Sequence, residues 1–256
     1  MNGRGERVTA QRRRDILQTL TDRGAVQVSD LTARFGVAPS TIRRDLDWLQ
    51  EQGLARRVHG GALPTEPSEE TEGMLLETLP IRIGKAAAEL VQSGDTVFIG
   101  PGELTLAAAR ALAQADLGRL SVVTNGLAVA RVIAARTEHP LILTGGQLER
   151  VDLGLGGDLA QAALRGLRAD WVMLELSGVS AADGLADDSL SQAELARKLL
   201  DLGAQLAVLV EPDRVGRSAA AHIGPAADAD VIITAREADS ALLWDLTEAG
   251  VRVILT

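Results

Sequence analysis

Apolar residues recur along this chain with two different rhythms, and the change of rhythm divides it. Up to about residue 63 the spacing is helical. Val8, Ile16, Leu17 and Leu20 place one weak apolar face on a helix from about Glu6 to Asp22, closed by Gly24. Leu31 and Phe35 predict a second, short helix with Ser29 as its N-cap and Gly36 as the turn beyond it. Ile42, Leu46 and Leu49, spaced i, i+4, i+7, predict a third from about Pro39 to Gln52. Pro39 sits where a helix needs no backbone donor, and Gly53 falls just past the end. Two helices joined by a glycine turn make a helix-turn-helix. In the LARRVHGGALP run that follows, Leu54 and Val58 anchor an extended segment, Arg56, Arg57 and His59 face out, and Gly60-Gly61 turns the chain back. That pattern predicts a wing.

From Ile81 onward short runs of Val, Ile and Leu alternate with helical stretches. The runs are TVFIG, LSVVT, LILT, WVMLE, LAVLVE, DVIIT and VRVIL. Between most of them lie helical segments such as ELTLAAARALAQA and SQAELARKLLDLG. About seven strands with intervening helices predict an α/β domain with a mostly parallel sheet covered on both faces. The acidic, proline-flanked stretch TEPSEETEGMLLETLP separates the two patterns. The expected organisation is therefore a winged helix-turn-helix over residues 1–63, an acidic linker over 64–80, and an α/β domain over 81–256.

Composition narrows the chemistry. Of the 256 residues 46% are hydrophobic, enough for a sizeable core, and there is no cysteine. Without cysteine there is no disulfide framework and no thiol nucleophile, and three scattered histidines (His59, His139, His222) do not suggest a metal centre. No stretch reaches the roughly 18 apolar residues of a membrane span, and the arginine-rich start lacks an apolar core, so a cytoplasmic protein without membrane contact is expected. The net charge of −9 conceals an asymmetry: up to Pro64 there are 11 Arg against 7 acidic residues, a balance of +4 that leaves −13 for the remainder. A basic head on an acidic body suits contact with a polyanion through the head alone.

In the third helix the buried face leaves Ser40, Thr41, Arg43 and Arg44 outside, near the helix start, the end that meets base edges when such a helix enters a major groove. A blander reading has Arg43 and Arg44 solvating a surface helix, with Arg43 paired to Asp47 at i, i+4. The residues from RRRDILQTL through VQVSDLTARFGVAPSTIRRDLDWLQEQGLARRVHGGALP resemble the N-terminal domain of the DeoR family of bacterial transcriptional regulators. That family carries V-S-x-x-T-I-R-R-D-L and, after the wing, R-x-H-G-G-A. Thr41 to Leu46 match the first signature, and Arg57, His59, Gly60, Gly61 and Ala62 match the second. Ala38 stands where the family has a capping serine, a loss of about 1 kcal/mol in cap stability that Pro39 or Ser40 can offset. The resemblance implies double-stranded operator DNA as partner, with Ser40, Thr41, Arg43, Arg44, Arg56, Arg57 and His59 at the contact.

The body also resembles that family, through VVTNGLAVA, the Gly145-Gly146 pair, SGVSAADGL, AELARKLL and PDRVGRSA preceding DVIIT. The resemblance implies a sensor domain similar to sugar-phosphate isomerases and CoA transferases, and a small-molecule effector. Carried over position by position, the effector site falls on Gly100, Gly102, Glu103, Thr105, Asn125, Gly145, Gly146 and Arg214. Two motifs depart from the family. Its D-S-G-T-T phosphate loop reads Gly100-Pro-Gly-Glu-Leu-Thr105 here, and its D-x-S-K-x-G reads Glu211-Pro-Asp-Arg-Val-Gly216. Glu103 thus brings a carboxylate to a helix start that otherwise suits phosphate. One reading has Glu103 occupying the anion site, which favours a non-phosphorylated ligand; the other makes it an ordinary, exposed first-turn acid.

The reading that follows is a sequence-specific DNA-binding regulator, a repressor by resemblance, gated by a small metabolite. No catalytic residue and no cofactor is expected. The competing reading is an isomerase- or transferase-type enzyme with an appended DNA-binding head, for which Glu175, Asp183 and Glu211 are the acidic candidates. Against it, no G-x-S-x-G occurs. A dinucleotide loop is a weaker alternative, because Thr105 replaces the third glycine of G-x-G-x-x-G and Asn125 ends the next strand. One head covers one half-site, so a homodimer or higher homo-oligomer is expected.

Overall fold

The computed structural model describes residues 12–13, 15–16, 19–20, 25–51, 55–58, 60–64 and 78–256. The chain forms two compact units, Met1–Leu76 and Glu77–Thr256. Val8, Leu17, Gly53, Leu54 and His59 lie outside the described residues, as does most of the expected linker.

In the first unit, helical positions 12–13, 15–16 and 19–20 precede strand β1 (Val26–Gln27), helix α1 (Val28–Phe35), helix α2 (Pro39–Glu51), and strands β2 (Ala55–Val58) and β3 (Gly61–Pro64). The strands pair antiparallel in the order β1-β3-β2. Ile16, Leu20, Leu31, Ile42, Leu46 and Leu49 close one core beneath them. Gly36 ends α1 in the left-handed region (φ 62), its N–H donating to the Thr32 carbonyl at 3.0 Å. Ser29 does not cap α1. The cap position is Gln27, and the Val28 N–H donates to the Gly60 carbonyl at 2.9 Å, so the sheet satisfies a donor that a side chain would otherwise take. At α2 the Ala38 carbonyl accepts from the Thr41 and Ile42 N–H groups, and no side-chain cap from position 38 is available.

The wing turn explains its glycine pair. Gly60 has φ 84, and a Cβ on Gly61 would lie 2.0 Å from the Val26 carbonyl oxygen, because β1 pairs alongside β3 at that point.

The second unit is built on seven parallel strands: β4 (Thr96–Ile99), β5 (Ser121–Thr124), β6 (Leu141–Leu143), β9 (Trp171–Glu175), β12 (Gln205–Leu209), β14 (Val231–Thr234) and β15 (Arg252–Leu255). Their order is β15-β14-β12-β9-β4-β5-β6. The central strands bury both faces. Phe98, Val172, Val208 and Ile232 enter one core, while Val97, Ile99, Met173, Leu209 and Ile233 enter the other. Helices α3 (Leu79–Ala88), α4 (Glu103–Gln114) and α5 (Leu127–Arg136) contribute buried residues to the second core. Helices α6 (Gly157–Ala163), α7 (Leu190–Leu200) and α8 (Ser240–Glu248) contribute to the first. Two additions go beyond the expected sheet: a hairpin of β7 (Gln147–Leu148) and β8 (Leu155–Gly156), and a three-stranded antiparallel sheet of β10 (Gly178–Ser180), β11 (Gly184–Asp187) and β13 (Ala221–Gly224).

Candidate functional site

Helix α2 turns Ile42, Leu46 and Leu49 inward, which places Ser40, Arg43 and Arg44 on its exposed face and Thr41 half-buried beside them. Among the described residues Arg43, Arg44 and Arg56 have no ion-pair partner. Arg57 differs. It is half-buried, its Nη1 donates to the Asp47 carboxylate and to the Arg43 carbonyl at 3.4 Å, and its N–H donates to Gln50 Oε1 at 2.9 Å. The Arg43–Asp47 pair of the blander reading is absent among the described residues; Asp47 pairs with Arg57 instead, which ties strand β2 to α2. His59 cannot be placed, since it lies outside the described residues.

Asp45 faces the opposite way and is 1% exposed. Its carboxylate accepts from Arg12 Nε at 2.6 Å and Arg13 Nε at 3.0 Å, and the Arg13 guanidinium lies 4.4 Å from the Trp48 ring centre. So the acid of the Arg-Arg-Asp triplet orients α2 from behind, and two arginines of the basic run serve the fold. Sequence spacing gave no sign of this, because the partners stand 32 and 33 residues away.

In the second unit the strand order reverses between β4 and β9: β5 and β6 follow on one side, β12, β14 and β15 on the other. Ligands of open parallel sheets bind outside the strand ends at such a reversal. A cavity of about 40 Å³ lies there, lined by Gly100, Pro101, Asn125, Asp152, Leu174, Glu175, Leu176, Asp187, Gln192, Leu195, Ala196 and Leu199. That is room for a few waters or a small group. The stretch between β7 and β8 adjoins it, held by Leu127 N–H to the Leu153 carbonyl (3.1 Å) and Leu155 N–H to the Asn125 carbonyl (2.7 Å).

Helix α4 begins at this point, and its first N–H groups are met by a carboxylate. That carboxylate is Glu175, not Glu103. Glu175 Oε2, at the end of β9, accepts from the Leu104 N–H at 2.6 Å and its carboxylate also takes a bond from Thr105, whereas Glu103 is exposed on the first turn. Gly102 (φ 134) makes the approach possible, since a Cβ there would stand 2.2 Å from Glu175 Oε2. Burial pushes the Glu175 carboxyl up to about 7; the two backbone N–H bonds oppose this, and nearby Glu103 and Glu211 add to it. Asp187 is raised in the same way by burial, against bonds from Ser189 and Ser177.

Asn125 is 1% exposed, and its Nδ2 donates to the Leu155 carbonyl and to Gln192 Oε1, both at 2.9 Å. That leaves Asn125 Oδ1 and Gln192 Nε2 buried without partners among the described residues. Of the expected effector residues, Gly100 and Asn125 line the cavity, and Gly102, Glu103 and Thr105 form the adjoining helix start. The other three do not line it. Gly145 and Gly146 (φ 71 and 121) shape the turn from β6 into β7, and Arg214 lies 3.9 Å from Asp188. Asp152, Asp187 and Gln192 escaped the sequence reading, because the β7–β8 loop, strand β11 and helix α7 that carry them join β4 and β9 only in the fold.

Residues 12–67 match the family model described as a DeoR-like helix-turn-helix domain, and residues 81–236 match the DeoR C terminal sensor domain. A protein of Escherichia coli O157:H7 bearing the name of an aga operon transcriptional repressor is 32% identical over 254 residues, covering 96% of this chain and 94% of its own. A glycerol-3-phosphate regulon repressor of Escherichia coli (strain K12) is 29% identical, covering 96% and 98%. Among solved structures, ribose 5-phosphate isomerase A from Methanocaldococcus jannaschii has a TM-score of 0.37 at 15% identity, covering 53% of this chain and 52% of that one. No helix among the described residues is long and apolar enough to cross a membrane.

Proposed function

The chain belongs to the DeoR family of transcriptional regulators, and from that premise we propose that it is a repressor that binds operator DNA through α2 and releases it when a small molecule enters the cavity between β4 and β9. The observation that carries the DNA half is the division of labour on α2. Asp45 fixes the helix from inside the fold, while Ser40, Arg43 and Arg44 stand exposed at its start with no competing ion pair among the described residues. Arg56 adds an exposed guanidinium from the wing. Arg57 acts through position, locking β2 against α2.

Repression rather than activation is supported by the names of the two full-length relatives, each called a repressor. The effector half rests on the cavity and its two unpartnered amide atoms. The chain performs no turnover in this reading, acts in the cytoplasm where its DNA is, and pairs with further copies of itself to cover a two-fold operator. Sedimentation in solution measures the last point.

The test is fluorescence anisotropy on DNA fragments enriched from random sequence by the protein itself. Each phosphate contact contributes about −0.9 to the slope of log affinity against log salt. Arg44→Ala is expected to weaken binding by roughly 5- to 100-fold, with a flatter salt slope if Arg44 meets phosphate or relaxed sequence preference if it meets a base. Affinity indifferent to both salt and Arg44→Ala rejects the reading. Turnover of a sugar phosphate by the purified protein would favour the enzyme alternative.

A further inference from the structure

A helix start beside the switch point of a parallel sheet is where a bound phosphate finds free N–H groups and a favourable dipole. In this chain that place is taken. The Glu175 carboxylate sits on the Leu104 and Thr105 N–H groups, and Gly102 lacks the Cβ that would keep it away. Resting on the effector site proposed above, we propose that the chain fills its own anion subsite with Glu175, so that the adjoining cavity takes a small ligand that carries no phosphate and is rich in hydrogen-bond donors.

Three further observations support it. Besides Glu175, the charged residues lining the cavity are Asp152 and Asp187, and among the described residues no Lys, Arg or His joins them. The one cation expected at the site, Arg214, lies within ion-pair distance of Asp188 instead. The free amide atoms add one acceptor, Asn125 Oδ1, and one donor, Gln192 Nε2. Acceptors therefore outnumber donors around the space, which suits ligand hydroxyl or ammonium groups and repels a phosphate. Burial already disfavours the Glu175 charge, so a second anion beside it adds to an existing penalty.

Thermal unfolding of the full chain in inorganic phosphate, and separately in glucose 6-phosphate, each against chloride at matched ionic strength, tests the proposal. Phosphate stabilises many proteins without binding, so the readout is the difference between wild type and variant in the same buffer. Removing the carboxylate in Glu175→Ala frees the helix start, and at tens of millimolar anion the second-unit transition of the variant is expected to rise by roughly 2–4 °C more than that of wild type. Should Glu175→Ala fail to fold, Glu175→Gln keeps the acceptor for Leu104 without the charge, and its anion response is expected to exceed that of wild type. Equal responses in variant and wild type overturn the proposal, as does saturable stabilisation of wild type by glucose 6-phosphate. DNA affinity measured on the same preparations keeps the two readings separate: intact DNA binding with equal anion responses removes this inference alone, whereas absent DNA binding removes the reading beneath it.

Discussion

Burial holds the Glu175 carboxyl near neutrality, so this one side chain makes the stability of the second unit depend on pH. Its ordinary value is 4.5 and its value in the fold is about 7, so the unfolded chain gives up the proton first. The favourable contribution is full below pH 4.5 and is lost as pH rises through 7, a span worth roughly 3 kcal/mol. Glu175→Gln loses this part of the dependence and keeps the smaller one of Asp187, which is raised in the same direction by burial. Denaturant unfolding at pH 5 and pH 8.5 should show the glutamine variant gaining about that much on wild type at the higher pH. Asp45 is the counterpart in the first unit, a buried carboxylate held by two guanidinium groups. Asp45→Ala leaves Arg12 and Arg13 without their partner, and a loss of roughly 3 kcal/mol in the first unfolding transition is expected. Both residues stood in plain view in the sequence, but their roles did not. An acid at the end of an apolar strand reads the same whether it faces water or a helix start 71 positions away. The choice of Glu175 over Glu103 was made by the pairing of β9 with β4, which no local spacing encodes.

At the scale of elements, the long apolar runs were the legible part. All seven became strands of the parallel sheet; the central ones are buried on both faces and so apolar without interruption, and the edge strands β6 and β15 keep an apolar run although partly exposed. The hairpin β7-β8 and the sheet β10-β11-β13 did not show, since their strands are two to four residues long and glycine-punctuated. Helix α3 begins at Leu79, inside the acidic stretch that the sequence marks as linker, because Pro80 breaks a helix in its interior but is welcome in its first turn. In the wing the glycine pair was legible as a turn, and the structure assigns the two glycines different tasks: Gly60 for its backbone angle, Gly61 for the approach of β1. Gly61→Ala has to move backbone against backbone. It should cost roughly 1–3 kcal/mol in the first unit and weaken DNA binding with it, as melting and anisotropy on the same variant would show. The Arg57–Asp47 pair gives a contrasting expectation. Asp47→Ala removes an exposed negative charge and frees a guanidinium beside the proposed DNA face, so nonspecific affinity should rise several-fold at low salt and the salt slope should steepen by up to about one contact.

For the whole molecule, the charge asymmetry supports the proposal that the first unit alone meets DNA. A chain cut to residues 77–256 should keep the pH behaviour of Glu175 and show no measurable DNA affinity, checked by unfolding and by anisotropy. The arginine count of the head overstates its salt dependence, because Arg12, Arg13 and Arg57 are engaged within the fold. The carboxylate at the start of α4 has one more consequence. It is a competitor that never diffuses away. Held by β9 within hydrogen-bond reach of its site, it presents a local concentration well above the millimolar range typical of a flexible tether. A free anion at ordinary cellular levels meets that concentration each time it tries to enter. On the reading proposed above, a regulator built this way is insulated from the swings of phosphorylated metabolites, and its DNA occupancy follows the uncharged or cationic ligand of its cavity.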